Sequence, residues 1–282
     1  MNTLPFKNIA IGVAFSPNLK ANLHEAARLG LLLNAHLHLI HVGNETAHKI
    51  RKVNECLASF KEEHLNYNLV FEKGKPAEGI LNYLNSKKID LIILGAIQKE
   101  NVSSYYVGSI GRKITRAANC SVLLLIKPSI HRRACEHIVV DGIDHDGTIA
   151  CVTTAFLLGD ALNSNRITIV EEIKKSELSI KVDDDKTLRK ANLQREKITR
   201  KKDARIERLL ATIDPTVKES ISIEKQAIFG KRGYSIGHYA QISRADLLVI
   251  NATKKLNFWD HIFTNDIEYI LKELPTDLLI VK

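Results

Sequence analysis

The chain has 282 residues, a formal charge of +9 and 45% hydrophobic content, enough for packed cores in one or two domains. No apolar run reaches the roughly eighteen residues of a membrane-spanning helix. Aromatics make up only 6%, which leaves no evident stacking platform for single-stranded nucleic acid. Positive charge alone supplies neither a groove nor base contacts, so nucleic acid and membrane are not expected partners.

The amino end, MNTLPFKNIAIGVAF, lacks a signal-peptide layout and enters an apolar strand almost at once, so a cytoplasmic location is expected. NIAIGVA, residues 8–14, reads as the first strand, and residues 21–33 carry apolar positions at helical spacing. HLHLIHV (36–42) is a second strand, followed by a polar helix through Phe60. YNLVFEKG (67–74) is a third, and Pro76 opens the helix PAEGILNYLNSKK, where its missing N–H costs little. IDLIIL (89–94) is a fourth strand, a helix follows Gly108, and SVLLLIK closes a fifth. Strands alternating with helices predict a parallel sheet covered on both faces.

KPSIHRRACE (127–136) breaks this pattern and reads as a linker, after which the same order restarts. HIVVDG, RITIVEE, SISIEKQAIFGKRG, ADLLVIN (245–251) and PTDLLIVK match the five strands of the first half in turn. One domain written twice explains this: 1–128, a linker at 129–136, and 137–282. The second copy carries a charged insertion near 174–208, read as a long helix with a solvated outer face.

The segment LGAIQKENVSSYYVGSIGRKI, from Leu94 to Ile114, is the strongest candidate site. Ligands of doubly wound sheets collect beyond the strand carboxyl ends. Gly95 permits close backbone approach there. Gly108, Ser109 and Ile110 begin a helix whose unpaired N–H groups suit a phosphate. Ser109 adds a hydroxyl that either donates to the ligand or caps the helix. No GKS or GKT follows, and no GxGxxG follows the first strand, so this is neither a Walker loop nor a dinucleotide fingerprint.

The chain at this point resembles a tandem universal stress protein. That family's phosphate loop runs Gly, two residues, Gly, nine residues, Gly, then Ser or Thr. Gly95, Gln98, Gly108 and Ser109 occupy these positions, with Gln98 replacing one glycine. The resemblance implies two mainly parallel five-stranded α/β sheets of order 3-2-1-4-5, with helices on both faces. It implies ATP or another adenine nucleotide, with or without Mg, above strands one and four. Gly12, Val13, Ala14, Val42 and Leu94 would line the nucleoside side. Ala14 stands where the family has an acidic residue. It further implies pairing of the two halves as a pseudo-dimer through SVLLLIK and DLLIVK.

The second copy keeps an acidic residue, Asp141, but its loop reads Asn251, Lys254, Thr264 and Asn265 at the four pattern positions, so no ordinary nucleotide site is expected there. Phe258 and Trp259 are expected to pack over the vacated pocket.

Remaining polar groups read as structural. His36, His38 and His41 lack a partner at diagnostic metal spacing. Cys56, Cys120, Cys135 and Cys151 contain no CxxC pair. Asp144, His145 and Asp146 form no ordered triad. The functional expectation is a stress-response protein that binds an adenine nucleotide in its first domain and is not an enzyme. A nucleotide-free interaction module is the alternative, weak ATP hydrolysis a third reading, and a homodimer or protein partner stays open.

Overall fold

A computed structural model describes residues 5–98, 105–177, 181, 183–252 and 265–282. In chain order the elements are β1 (Asn8–Gly12), α1 (Leu19–Leu32), β2 (His36–Val42), α2 (Ala47–Cys56), β3 (Tyr67–Glu72), α3 (Pro76–Ser86), β4 (Leu91–Gly95), β5 (Ile97–Gln98), β6 (Tyr105–Tyr106), α4 (Ser109–Ala117) and β7 (Ser121–Leu125). The second half supplies β8 (His137–Asp141), α5 (Thr148–Leu162), β9 (Arg166–Lys174), α6 (Asp185–Leu210), β10 (Ser222–Gly230), α7 (Tyr234–Ile242), β11 (Leu247–Asn251), α8 (Asn265–Lys272) and β12 (Asp277–Val281).

Among the described residues ten strands form a single sheet, ordered β10-β9-β8-β11-β12-β7-β4-β1-β2-β3. The two expected five-stranded sheets are thus one continuous sheet, joined where pairing of SVLLLIK with DLLIVK was expected. The fusion occurs at one antiparallel pair, where Leu278, Leu279 and Ile280 of β12 stand opposite Leu124, Leu123 and Val122 of β7. Every other pair in this sheet is parallel. The physical reason is an edge problem: SVLLL and DLLIV are apolar final strands, and each would otherwise leave a row of backbone donors and acceptors open.

The repeated Asp in IDLIIL and ADLLVI performs the same task in both halves. Asp90 Oδ2 accepts from the N–H groups of Lys7 (2.9 Å) and Asn8 (2.8 Å). Asp246 Oδ2 accepts from Glu136 (2.8 Å) and His137 (3.0 Å). Each aspartate therefore ties the entry of its own strand to the entry of the first strand and sets their register.

Helices cover both faces. One face packs α1, α2, α5 and the end of α6 through residues such as Leu23, Val53, Phe156 and Ile206. The other packs α3, α4, α7 and α8 through Ile80, Ile114, Ile236 and Leu271. Each fully buried side chain of this kind contributes about 1.5–3 kcal/mol. Pro76 occupies the first turn of α3, and an Asp184–Thr187 capping box starts α6. The charged insertion thus folds as a helix anchored by Ala191, Ile206, Leu209 and Leu210, with the remainder mostly exposed. Among the described residues no helix is long and apolar enough to cross a membrane.

Candidate functional site

Chain direction creates the cleft. From β1 the chain leaves to α1 on one face, and from β4 it leaves to α4 on the other, so the carboxyl ends of these neighbouring strands part. This is where ligands of doubly wound sheets bind. Gly95 ends β4 and is exposed, with the Asn22 amide of α1 lying 3.2 Å from where a Cβ would project. Leu94 is buried, and Gly12 packs beside Leu94 and Ile80.

On the phosphate side, α4 begins at Ser109 with no side-chain cap, and Gly108 precedes it in an extended conformation. Ser109 and Ile110 are exposed, so the first-turn N–H groups have a route to solvent or ligand. Gly108 has a second reason to be glycine: a Cβ there would lie 2.6 Å from Ile97 Cδ1. Gln98 is exposed in the two-residue ladder β5–β6, opposite Tyr105.

The loop is also stapled to the second half. The Val107 N–H donates to the Leu271 carbonyl (3.1 Å), and the Leu274 N–H to the Tyr105 carbonyl (2.9 Å). Arg112 is spent on the Val107 carbonyl (2.8 Å), and Lys113 pairs with Glu78 (3.0 Å). Neither is aimed at a phosphate. Lys99, Ser103 and Ser104 lie outside the described residues.

The nucleoside side fits less well. The His41 Nδ1–H donates to the Val13 carbonyl (2.9 Å). That leaves Nε2 as an acceptor, 3.0 Å from the Lys49 ammonium, which also donates to the Asn44 carbonyl. Phe15 and Phe71 meet the His41 ring edge-on at 4.9 and 5.7 Å. Ala14 is exposed and brings no carboxylate, and Val42 packs against Gly79 of α3. The start of α4 is thus left without a side-chain cap, and Ala14 brings no carboxylate to the end of strand one. Sequence reasoning weighed His41 only as part of a histidine cluster; its contact with Val13 spans 28 residues of chain and has no local signal.

His36 and His38 are structural. His36 is held by Asn66 and Asn68, and His38 by the Tyr83 hydroxyl at 2.8 Å. Burial, with the neighbouring charges of His36 and Lys87, lowers His38 to about 4. Among the described residues no group of three or more His, Cys, Asp or Glu is placed to hold a metal.

The equivalent cleft of the second half is filled from within. Asn251, at the position of Gly95, turns its amide onto Gly147 and donates to His145 Nδ1 (2.8 Å). His145 Nδ1 also accepts from the Gly147 N–H, so His145 braces this loop, while Asp144 lies 3.7 Å from Arg205. The inserted helix α6 lies across the ends of β8 and β9. Arg205 donates to the Gly142 carbonyl and sits 3.1 Å from the buried Glu171 carboxylate, with Lys202 at 3.0 Å. Ile206 packs toward Gly142. Burial raises the Asp141 carboxyl to about 6, against the Ile143 N–H that it accepts. Glu172 accepts from Gly233 and Ile236, both at 2.8 Å, so a carboxylate of the protein already occupies the first turn of α7. Sequence reading assigned α6 only a solvated role and missed this plug. Lys254, Phe258, Trp259 and Thr264 lie outside the described residues.

The fold defines an α/β protein of two doubly wound halves sharing one sheet. Residues 43–125 match the model of the Universal stress protein family. The universal stress protein MJ0531 of Methanocaldococcus jannaschii is 29% identical over 86 residues, 30% of this chain and 47% of that protein. The chain thus spans about half the length of that curated relative. Near full-length likeness is found with two solved structures. A functionally unknown protein, PA1789 of Pseudomonas aeruginosa, gives a TM-score of 0.69 at 15% identity, covering 99% of this chain and 94% of that one. A universal stress protein of Archaeoglobus fulgidus gives 0.66 at 11% identity, covering 98% of each. At these identities the likeness establishes a shared fold.

Proposed function

We propose that the protein is a stress-response regulator whose first half binds the phosphates of an adenine nucleotide, with or without Mg, and does not turn the nucleotide over. Residues 1–128 and 137–282 act as two domains joined by 129–136, only the first of them nucleotide-binding. What supports this reading is the start of α4 at Gly108, Ser109 and Ile110, where no side chain caps the helix, together with the resemblance, which implies that this turn and Gly95 serve one phosphate. The turn's oriented N–H groups and the positive end of the helix dipole favour an anion. The adenine preference rests on the family resemblance. Because the loop is bonded to Leu271 and Leu274, ordering it on binding transmits to the second half.

Titration with ATP, ADP and AMP, each with and without Mg, tests the proposal. Saturable binding should appear in the wild type and fall at least tenfold in Gly108→Arg and in Ser109→Ala. Absence of binding at millimolar nucleotide refutes it. A second reading is favoured by the bond that His41 makes to the Val13 carbonyl: a nucleotide-free interaction module, in which the loop displays a fixed surface. His41→Ala separates the two, because it frees that carbonyl and should tighten nucleotide binding only if the cleft is a nucleotide site.

A further inference from the structure

On the sheet face carrying α1 and α5, no helix among the described residues covers the seam between the halves. A cavity of about 920 Å³ lies there, within the roughly 300–1,000 Å³ typical of small-molecule sites. We propose that this cavity binds a single-chain anionic amphiphile of the fatty-acid class. The site is separate from the strand-end cleft and does not depend on nucleotide binding.

The floor is the middle of the sheet, with Ile93, Leu123 and Leu279 on three adjacent strands. Val122 and Leu124, facing the opposite side, are wholly buried, whereas Leu123 between them is half-buried because it looks into this space. Leu29 and Leu32 of α1 form one wall, and Leu158 and Leu162 of α5 the other. The linker makes the roof and is pinned in place. The Ser129 N–H donates to Glu25 (2.9 Å), Arg28 donates to the Ser129 and Ile130 carbonyls, and the buried His24 ring meets the Ile130 carbonyl. The apolar floor and walls offer ordered water few partners, while Arg28, Glu63, Lys127, Arg132, Arg133 and Arg244 line the rest of the space.

Charge at the mouth selects the head group. Of its acidic residues, Glu25 is held by Arg28 and Ser129, Asp246 by two backbone N–H groups and Asp277 by the Ile126 N–H; Glu63 remains, outnumbered by Arg28, Lys127, Arg132, Arg133 and Arg244 on the same lining. Arg132 and Arg133 are exposed and in no ion pair among the described residues, although Arg133 lies near enough to Asp277 to favour its charged form. An acyl chain would lie along the leucines while its carboxylate met these two arginines. A nucleotide would leave its sugar and base polar groups unsatisfied against the same floor.

The test uses the full-length, delipidated protein, hexadecanoate and hexadecanol, with native mass spectrometry for stoichiometry and calorimetry for affinity. One equivalent of hexadecanoate should bind saturably. Affinity should drop at least tenfold for the alcohol and for the double variant Arg132→Glu/Arg133→Glu, whose exposed positions leave the fold intact. Leu123→Trp, which fills the floor, should also weaken binding. If that variant does not fold, the arginine variant decides alone. Non-saturable uptake, more than one equivalent, equal affinity for the alcohol, or unchanged affinity in the arginine variant would overturn the proposal.

Discussion

Asp277 opens β12 at the seam between the halves, and its replacement by Asn should change how stability depends on pH. The carboxylate accepts the Ile126 N–H at 2.8 Å. Burial pushes the carboxyl from 3.8 up to about 7, over the opposing effects of that hydrogen bond and of Arg133, with Glu25 and Asp246 adding to the rise. The folded state therefore holds a proton that the unfolded chain releases near pH 4. The resulting stability is complete below about pH 4, is lost between about pH 4 and 7, and stays lost above.

A rise of about three units at about 1.4 kcal/mol each gives an upper bound near 4 kcal/mol. The side of the carboxyl bordering the cavity keeps some hydration, so about 2–4 kcal/mol is expected. With an unfolding entropy of about 2.1 cal/mol/K per residue, roughly 0.6 kcal/mol/K for the chain, this corresponds to about 3–7 °C. Asn keeps the acceptor for Ile126 and cannot ionise. Thermal unfolding of wild type and Asp277→Asn at pH 4.5 and pH 8 should show the variant gaining relative stability at the higher pH. Asp141, raised to about 6, shifts both proteins alike, so the difference between them isolates Asp277. A difference that does not vary with pH, or a wild type that is the more stable at pH 8, would refute the reasoning.

Glu172→Ala leaves two buried N–H groups at the start of α7 without their acceptor and should cost about 2–5 kcal/mol in urea unfolding, with Glu172→Gln losing less. Arg205→Met removes the bond to Gly142 and strips one cation from the buried Glu171; a loss of about 2–4 kcal/mol should come with faster hydrogen exchange across α6. Gly147→Ala places a methyl group against the Asn251 amide and should destabilise by about 1–3 kcal/mol. The added change Asn251→Ala should recover most of that loss, and additivity in the double-mutant cycle would count against the contact.

The apolar runs, Pro76 and the repeated aspartates made the strand order and the duplication readable, because each acts through its neighbours or through a period of the chain. IDLIIL and ADLLVI marked the repeat, but the shared role of Asp90 and Asp246 as acceptors for the entry of each first strand came only with the structure. The helix start after Gly108 was legible for the same local reason. His41 on Val13, Ile97 over Gly108, and the loop's bonds to Leu271 and Leu274 were not legible, because they join residues brought together only by strand crossover or by the docking of one half on the other.

The sequence alone determined that α/β units would be built twice, since hydrophobic period and turn chemistry act within a few residues. Only the tertiary structure decided the antiparallel register in which the two final strands join the halves, that α6 lies over the ends of β8 and β9 with Arg205 and Lys202, and that a cavity remains under the linker. Those outcomes depend on which surfaces meet once the elements have formed, and no stretch of neighbouring residues encodes that.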